Sequence, residues 1–141
     1  MQFNSMMIWL IRSPLHFFVS KNMMVANFTG HKSGKAYSVP MNYLRDGEKL
    51  YTTSQRGRTW WRNLRNGNPV TLRLQGKDVH AIPQVTESDE GVADLLDHYF
   101  SLAPKMARYF EVRLDPEGHP IPEDVKTSAQ SKVMITFRLA T

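Results

Sequence analysis

The sequence predicts a mainly β protein with appended helices (α+β), its strands curled into a closed or partly closed barrel. Three observations carry this. Short apolar runs alternate with period two over residues 37–43, 70–75 and 133–139. Turn dipeptides, Asp46-Gly47 and Gly76-Lys77, separate strand-like runs at hairpin distance. Helical periodicity is strong only after Ser88, where Val92, Leu95, Leu96 and Tyr99 fall at i, i+3, i+4 and i+7. Short strands with short connections protect their edges best by closing on themselves. The 141 residues are one domain's worth of chain, 1–141.

Taken in order, residues 1–21 read as an N-terminal amphipathic helical segment. Met6, Met7, Ile8, Trp9, Leu10 and Ile11 are followed by Phe17, Phe18 and Val19, with Arg12, Pro14 and His16 breaking the run. It is far shorter than the roughly 20 apolar residues that span a bilayer, and it lacks the flanks of a signal peptide. It packs on the barrel or touches a membrane surface or hydrophobic substrate. Ser13-Pro14 ends the first helix, since the residue before proline leaves the α region. The barrel core spans 22–86. Residues 23–29 form a strand buried on both faces, and residues 30–35 a turn. In the next strand Tyr37, Val39, Met41 and Tyr43 share one face, and Pro40, lacking an N–H, puts it at an edge or a bulge. Asp46-Gly47 returns the chain along residues 49–54. Thr59 reads as the N-cap of a short helix over 60–66 that Gly67 terminates. Pro69 opens a strand with Val70, Leu72 and Leu74 inward, paired with residues 78–86. Helices occupy 87–112: Ser88 caps the first, Asp89 and Glu90 suit its dipole, Pro104 ends it, and a further turn covers 105–110. The remainder, 113–141, is a loop over 114–126 and a final strand with Val133, Ile135, Phe137 and Leu139 on one face.

Composition narrows the function classes. A hydrophobic share of 41% with 22% charged residues is that of a soluble globular protein. The chain has no cysteine, which excludes disulfides, thiol nucleophiles and thiolate metal ligands and fits a reducing cytosol. Charge is uneven. Residues 1–76 hold eleven Lys/Arg against two Asp/Glu, while residues 77–141 hold seven against eleven. The first half is thus the face for an anion such as a phosphorylated cofactor, a nucleic acid or an acidic membrane. The arginine cluster is short and no nucleic-acid motif is present, so nucleic acid is not the expected partner.

Two constellations could bind an anion. Gly30-His31-Lys32-Ser33-Gly34-Lys35 brings free backbone N–H groups and two lysines together, although its glycine spacing is not that of a P-loop. A solvated turn has the same composition. Ser54-Gln55-Arg56-Gly57-Arg58-Thr59 leads into a helix whose N-terminus would suit a phosphate. Trp60 and Trp61 follow; on a helix they point different ways, one toward the core and the other toward a ligand, or both toward the core. Other chemistry is poorly supported. The five histidines, 16, 31, 80, 98 and 119, are scattered, and the closest pairing is Asp94 with His98 on a helix, which reads as a surface pair. No metal site and no nucleophile elbow is expected. If the chain is an enzyme, a bound cofactor supplies the chemistry.

Thr29-Gly30-His31-Lys32-Ser33-Gly34-Lys35, Val39-Pro40, Asp46-Gly47, Ser54, Trp60-Trp61-Arg62-Asn63-Leu64 and Asn68-Pro69-Val70, in that order over about residues 24–76, resemble the pattern of the deazaflavin-dependent nitroreductase family. Ser13-Pro14-Leu15-His16 resembles one branch of it, and residues 87–141 carry little of it. The resemblance implies a split β-barrel like that of FMN-binding proteins. It implies binding of coenzyme F-420, an 8-hydroxy-5-deazaflavin with a phosphate and a glutamate tail, and a homodimer; the expected location, from the absence of cysteine, is the cytoplasm. By the same resemblance, Lys32, Ser33, Gly34 and Lys35 would cradle the phosphate. Pro40, Ser54, Gln55, Arg56, Trp60, Trp61 and Asn63 would border the same groove. Two positions depart from the pattern: His31 replaces an arginine, and Gln55 stands where many members have a basic residue, with Arg56 next to it. The implied activity is hydride transfer to a small-molecule acceptor, a quinone, an enone or a nitro compound. From the residues themselves, Tyr99, Tyr109 and His16 are candidate proton donors, although the two tyrosines lie on apolar helical faces that also suit a core role. The alternatives are an FMN-dependent oxidoreductase of the same fold and a non-catalytic cofactor or lipid carrier.

Overall fold

A computed structural model describes residues 23–30 and 32–140. The N-terminal segment, with Ser13-Pro14 and His16, lies outside the described residues, as does His31. Strands β1 (Met23–Thr29), β2 (Ala36–Asn42), β3 (Leu44–Asp46), β4 (Lys49–Gln55), β5 (Val70–Leu74), β6 (Lys77–Thr86) and β7 (Lys132–Leu139) form one sheet. The order is β2-β1-β5-β6-β7-β4-β3, and every ladder is antiparallel. β2 and β3 are the two ends of that order, yet only Tyr43 separates them in sequence. One bent strand therefore runs from one edge of the sheet to the other, and the sheet must curl to let it. The Thr52 hydroxyl donates to the Asn42 carbonyl at 2.6 Å, joining β4 to the end of β2 across the curl. The result is a half-barrel, and Pro40 sits on its edge strand, where a missing N–H costs least.

The pleat sorts side chains to two cores. Inside the barrel, Met24, Ala26, Val39, Met41, Leu50, Leu72, Val133, Ile135 and Phe137 pack around Trp61 and Leu64. On the outer face of β4 and β7, Tyr51 and Met134 meet α1 (Asp89–Leu102), whose Val92, Leu96, Tyr99 and Phe100 are buried. Burying each such large side chain contributes about 1.5–3 kcal/mol. Ser88 caps α1, its hydroxyl accepting from the Gly91 N–H at 3.1 Å. A 3-10 segment, Pro104–Phe110, continues from α1.

Most turns follow the local chemistry. Asp46 pairs with Lys49, leaving Gly47 in a two-residue hairpin. Leu74 pairs with Lys77, and the connecting Gln75 and Gly76 both have positive φ (49° and 80°), the pairing that a right-twisted two-residue hairpin requires.

Four expectations need correction. Residues 60–66 do not form a capped α-helix. Trp60–Leu64 is a single 3-10 turn, Thr59 makes no side-chain cap bond, and the Gly67 N–H donates to the Leu64 carbonyl to end it. Beyond Leu64 the chain turns instead: the Asn66 side chain accepts from the Asn68 N–H at 2.9 Å and Gly67 takes a positive φ of 72°, which no helix continues through. β1 is buried on both faces only at first, since Asn27 is half-buried and Thr29 exposed. The loop expected over 114–126 ends early, because α2 (Pro122–Ala129) begins inside it. Its acidic, proline-containing start reads as loop, but Pro122 occupies the first turn with Glu123 and Asp124, and Lys126 the last, which suits the helix dipole. Val125 and Ala129 then bury against α1. His98 pairs not with Asp94 but with Asp46, at 3.0 Å, because its ring turns toward the β3–β4 hairpin and meets the Tyr51 ring edge-on.

Candidate functional site

Two cavities are lined by β2 together with residues 58–66. The larger, about 900 Å³, runs along β2, Tyr43 and β3 and past the end of β4. Trp60 and Arg58 form its inner wall, and Tyr99, Met106, Tyr109 and Phe110 roof it. The smaller, about 650 Å³, is formed by Lys32, Ser33, Tyr37, Thr59, Arg62, Asn63, Arg65 and Asn66. The two share no lining residue, but Tyr37 of the smaller and Val39 of the larger are two residues apart on β2, and Thr59 of the smaller precedes Trp60 of the larger.

The β1–β2 loop shapes the smaller cavity. The Gly30 N–H donates to the Lys35 carbonyl at 2.6 Å, and the Gly34 N–H to the Gly30 carbonyl at 3.0 Å. A Cβ on Gly30 would meet the Tyr37 ring at 2.5 Å and the Ser33 hydroxyl at 2.9 Å, so only glycine lets that ring lie over the loop. Tyr37 also stacks on Phe28, with ring centroids 5.8 Å apart. Lys32, Ser33, Gly34 and Lys35 are all exposed.

Electrostatically both cavities are one-sided. Arg58, Lys105 and Lys132 line the larger, and Lys32, Arg62 and Arg65 the smaller; among the described lining residues neither has an Asp or Glu. Arg65 is bound through two nitrogens to Glu87, at 2.7 and 2.9 Å. The other five make no ion pair among the described residues. Burial pushes the Tyr99 phenol up from its ordinary pKa. The same holds for Tyr43, where burial outweighs a hydrogen bond with Gln75. Burial thus disfavours the phenolate form of both side chains. Tyr109 is 65% exposed at the mouth, and its oxygen accepts from the Arg108 guanidinium at 2.8 Å.

The sequence-predicted residues divide among these places. Lys32, Ser33 and Asn63 line the smaller cavity, and Pro40, Ser54, Gln55 and Trp60 the larger. Gly34 and Lys35 belong to the same loop as Lys32 but not to the lining. The Asn63 amide donates to the Trp60 carbonyl at 3.1 Å and so holds the 3-10 turn between the cavities. Arg56 and Trp61 line neither. The Arg56 guanidinium donates to Asp89 (3.2 Å) and to the Ala129 and Lys132 carbonyls (3.1 and 3.0 Å), which ties β4 to α1, α2 and β7. Trp61 is 1% exposed inside the barrel, with the Arg65 guanidinium 4.9 Å from its ring centre. Tyr99 and Tyr109 both reach the larger cavity; His16 lies outside the described residues.

Sequence reading missed Lys105, Lys132 and Tyr43. No local pattern marks them, because the first two lie far along the chain and are brought in by the roof and by β7. It also passed over Asp115, Glu117 and His119, whose ligand atoms lie within 4.8 Å of one another in an exposed loop. There the Asp115 carboxylate accepts from the N–H groups of Glu117 and His119 and so shapes the loop.

No family model matches the chain, and no curated protein does. Solved structures do. A candidate pyridoxamine 5′-phosphate oxidase from Listeria innocua is 13% identical, with 90% of each chain covered and a TM-score of 0.54. The F-420-H2-dependent reductase FDR-A is 18% identical over 82% of this chain and 94% of its own, with a TM-score of 0.53. An FAD- and haem-binding protein from Mycobacterium smegmatis is 14% identical over 92% of this chain and 67% of its own, with a TM-score of 0.56. At such identities a likeness carries architecture, and it agrees with the curled antiparallel sheet described above: the chain has the split β-barrel fold of FMN-binding proteins.

Proposed function

We propose that this protein is an oxidoreductase that holds coenzyme F-420 across the two cavities and reduces a quinone, enone or nitro-type acceptor. The observation that carries the reading is the smaller cavity, cationic and free of carboxylates among its described lining residues, linked through β2 and residues 59–60 to a larger cavity with an aromatic and apolar wall of Val39, Met41 and Trp60. That donor set fits a flat, phosphate-bearing group. Lys32, Ser33 and Arg62 suit the phosphate, with Gly34 and Lys35 completing the loop around it. Trp60, Val39, Pro40 and Met41 suit the ring, bordered by Ser54 and Gln55. Similarity to a structure described as an F-420-H2-dependent reductase supports the same choice.

When bound, the reduced deazaflavin supplies a hydride, two electrons and a proton in one step. The chain's own residues position the acceptor and deliver the second proton. Tyr99 lines the larger cavity, and its phenol O–H can donate a hydrogen bond to an acceptor oxygen there. Tyr109 accepts from Arg108, which leaves its own O–H free to point into the cavity. Arg56 and Trp61 act through the fold rather than by contact.

FMN shares the phosphate and the flat ring, and the similarity to a candidate pyridoxamine 5′-phosphate oxidase keeps that second reading in view. A domain-swapped dimer of the same architecture (17% identical, 84% of this chain and 81% of its own covered, TM-score 0.54) supports a homodimer. No helix of the described residues is long and apolar enough to cross a membrane. We assign the protein to the cytoplasm, with residues 1–21 as its one candidate membrane contact.

A fluorescence titration with oxidised coenzyme F-420, run beside FMN, tests the reading. Saturable binding of the deazaflavin with FMN much weaker supports it. A preference for FMN moves the protein to a flavin-dependent reductase. Binding of neither removes the redox assignment and leaves a carrier of another ligand.

A further inference from the structure

Three cations in the larger cavity have no task in the cofactor assignment, on which this inference rests. In that assignment Lys32, Ser33 and Arg62 of the smaller cavity would hold the phosphate, and the cofactor's anionic tail, attached beyond the phosphate, would not need the cations of the larger one. Arg58, Lys105 and Lys132 surround the ring's end of the groove instead. Their concentration there is selective. Residues 77–141 carry eleven acidic and seven basic side chains, yet both charged side chains that this half contributes to the lining are lysines. The Lys132 ammonium donates to the Ser131 hydroxyl at 3.1 Å and stands 5.9 Å from the Phe110 ring centre, so it is turned toward the roof. Arg58 and Lys105 make no ion pair among the described residues. The roof between them is aromatic and apolar, from Tyr99, Met106 and Phe110.

We infer that the acceptor is itself a planar anion, an electron-poor aromatic or conjugated carboxylate. Its ring slides beneath the Tyr99–Phe110 roof, and its carboxylate is held by Lys105 and Lys132. A neutral acceptor of the same shape leaves these ammonium groups in water and gains nothing from them. A carboxylate makes charge-assisted bonds in a partly desolvated cavity, where they are stronger than at an open surface.

The test is equilibrium binding, read as quenching of tryptophan fluorescence, since Trp60 lines the cavity. The probes are 4-nitrobenzoate and 4-nitrobenzamide, which share a ring and a nitro group and differ in charge. The full chain should bind the carboxylate about ten-fold more tightly than the amide. In Lys105→Gln/Lys132→Gln that preference should shrink to about two-fold or less, with coenzyme F-420 affinity and melting temperature unchanged. Lys105→Glu, at an exposed position, should shrink the preference to a similar extent, and this second variant guards against misfolding of the first. Equal binding of the two probes by the unaltered chain overturns the inference. So does a loss of F-420 affinity in the double variant, because the lysines would then serve the cofactor. Carboxylate preference that persists in a chain binding neither F-420 nor FMN upholds the anion subsite while the cofactor assignment fails.

Discussion

Two stretches of chain bring positive charge to the groove, and they are built in opposite ways. Residues 30–35 are held from within: the bonds between Gly30 and Lys35 and between Gly34 and Gly30 close the loop on itself, and the Lys35 N–H adds a bond to the Ser33 hydroxyl at 3.2 Å. Residues 55–59 have one internal bond, from the Arg58 N–H to the Gln55 carbonyl at 3.1 Å, and are otherwise held from without. The Arg56 N–H donates to the Ser131 carbonyl at 2.8 Å, and its guanidinium reaches three acceptors on α1, α2 and the start of β7. In the first loop the lysines remain available. In the second, one arginine is consumed as a tether, and the other, two residues on, is thereby aimed into the larger cavity. Cationic composition therefore does not assign a role; the acceptors already engaged do.

The largest effect that would test this contrast is on stability. Arg56→Ala leaves two part-buried carbonyls unpaired, and chemical denaturation should show a loss of about 3 kcal/mol. A stability change below a few tenths of that would mean the tether is idle. Lys32→Ala should do the reverse, weakening coenzyme F-420 by about 2 kcal/mol in a fluorescence titration while the melting temperature holds. If it melts early, the first loop is a structural element too. Ser88→Ala removes the cap of α1 and should cost about 1 kcal/mol, loosening the turn that presents Asp89 to Arg56. Its cost and that of Arg56→Ala should fall short of additive in the double variant, because the two share one helix end.

The smallest effect concerns acid. Arg113 donates hydrogen bonds to Asp124 from its side chain and backbone, and these hold the carboxyl below its ordinary pKa. A depressed folded-state pKa contributes stability that is present above the unfolded value, about 3.9, and is lost as pH falls through the folded one. Asp124→Asn should therefore flatten the decline of stability below about pH 4, with little change in slope near neutrality. An unchanged acid limb would separate this pair from the protein's acid sensitivity.

Much of the barrel was legible locally because its information is local. The alternation of Tyr37, Val39, Met41 and Tyr43, the hairpin at Asp46-Gly47 and the Ser88 cap each depend on neighbours within a few residues. α2 was missed because its acidic, proline-bearing start has the same composition as a loop, and only packing of Val125 and Ala129 against α1 separates the two. The tryptophan pair was readable only as a choice. Trp60 reached the cavity and Trp61 the barrel interior, a division that a five-residue 3-10 turn makes and a longer helix would have made differently.

What the sequence determined by itself is what short range can determine: strand periods, turn positions, the excess of positive charge in the first half, and motifs whose order matched a known pattern. Only the tertiary structure decided which charges are spent and which are free. Arg56 and Arg58 are indistinguishable in composition, and Lys105 and Lys132 carry no local mark of a site. Their roles depend on acceptors and walls that the curl of the sheet gathers from distant parts of the chain, and electrostatic interaction depends on distance in space rather than separation along the backbone.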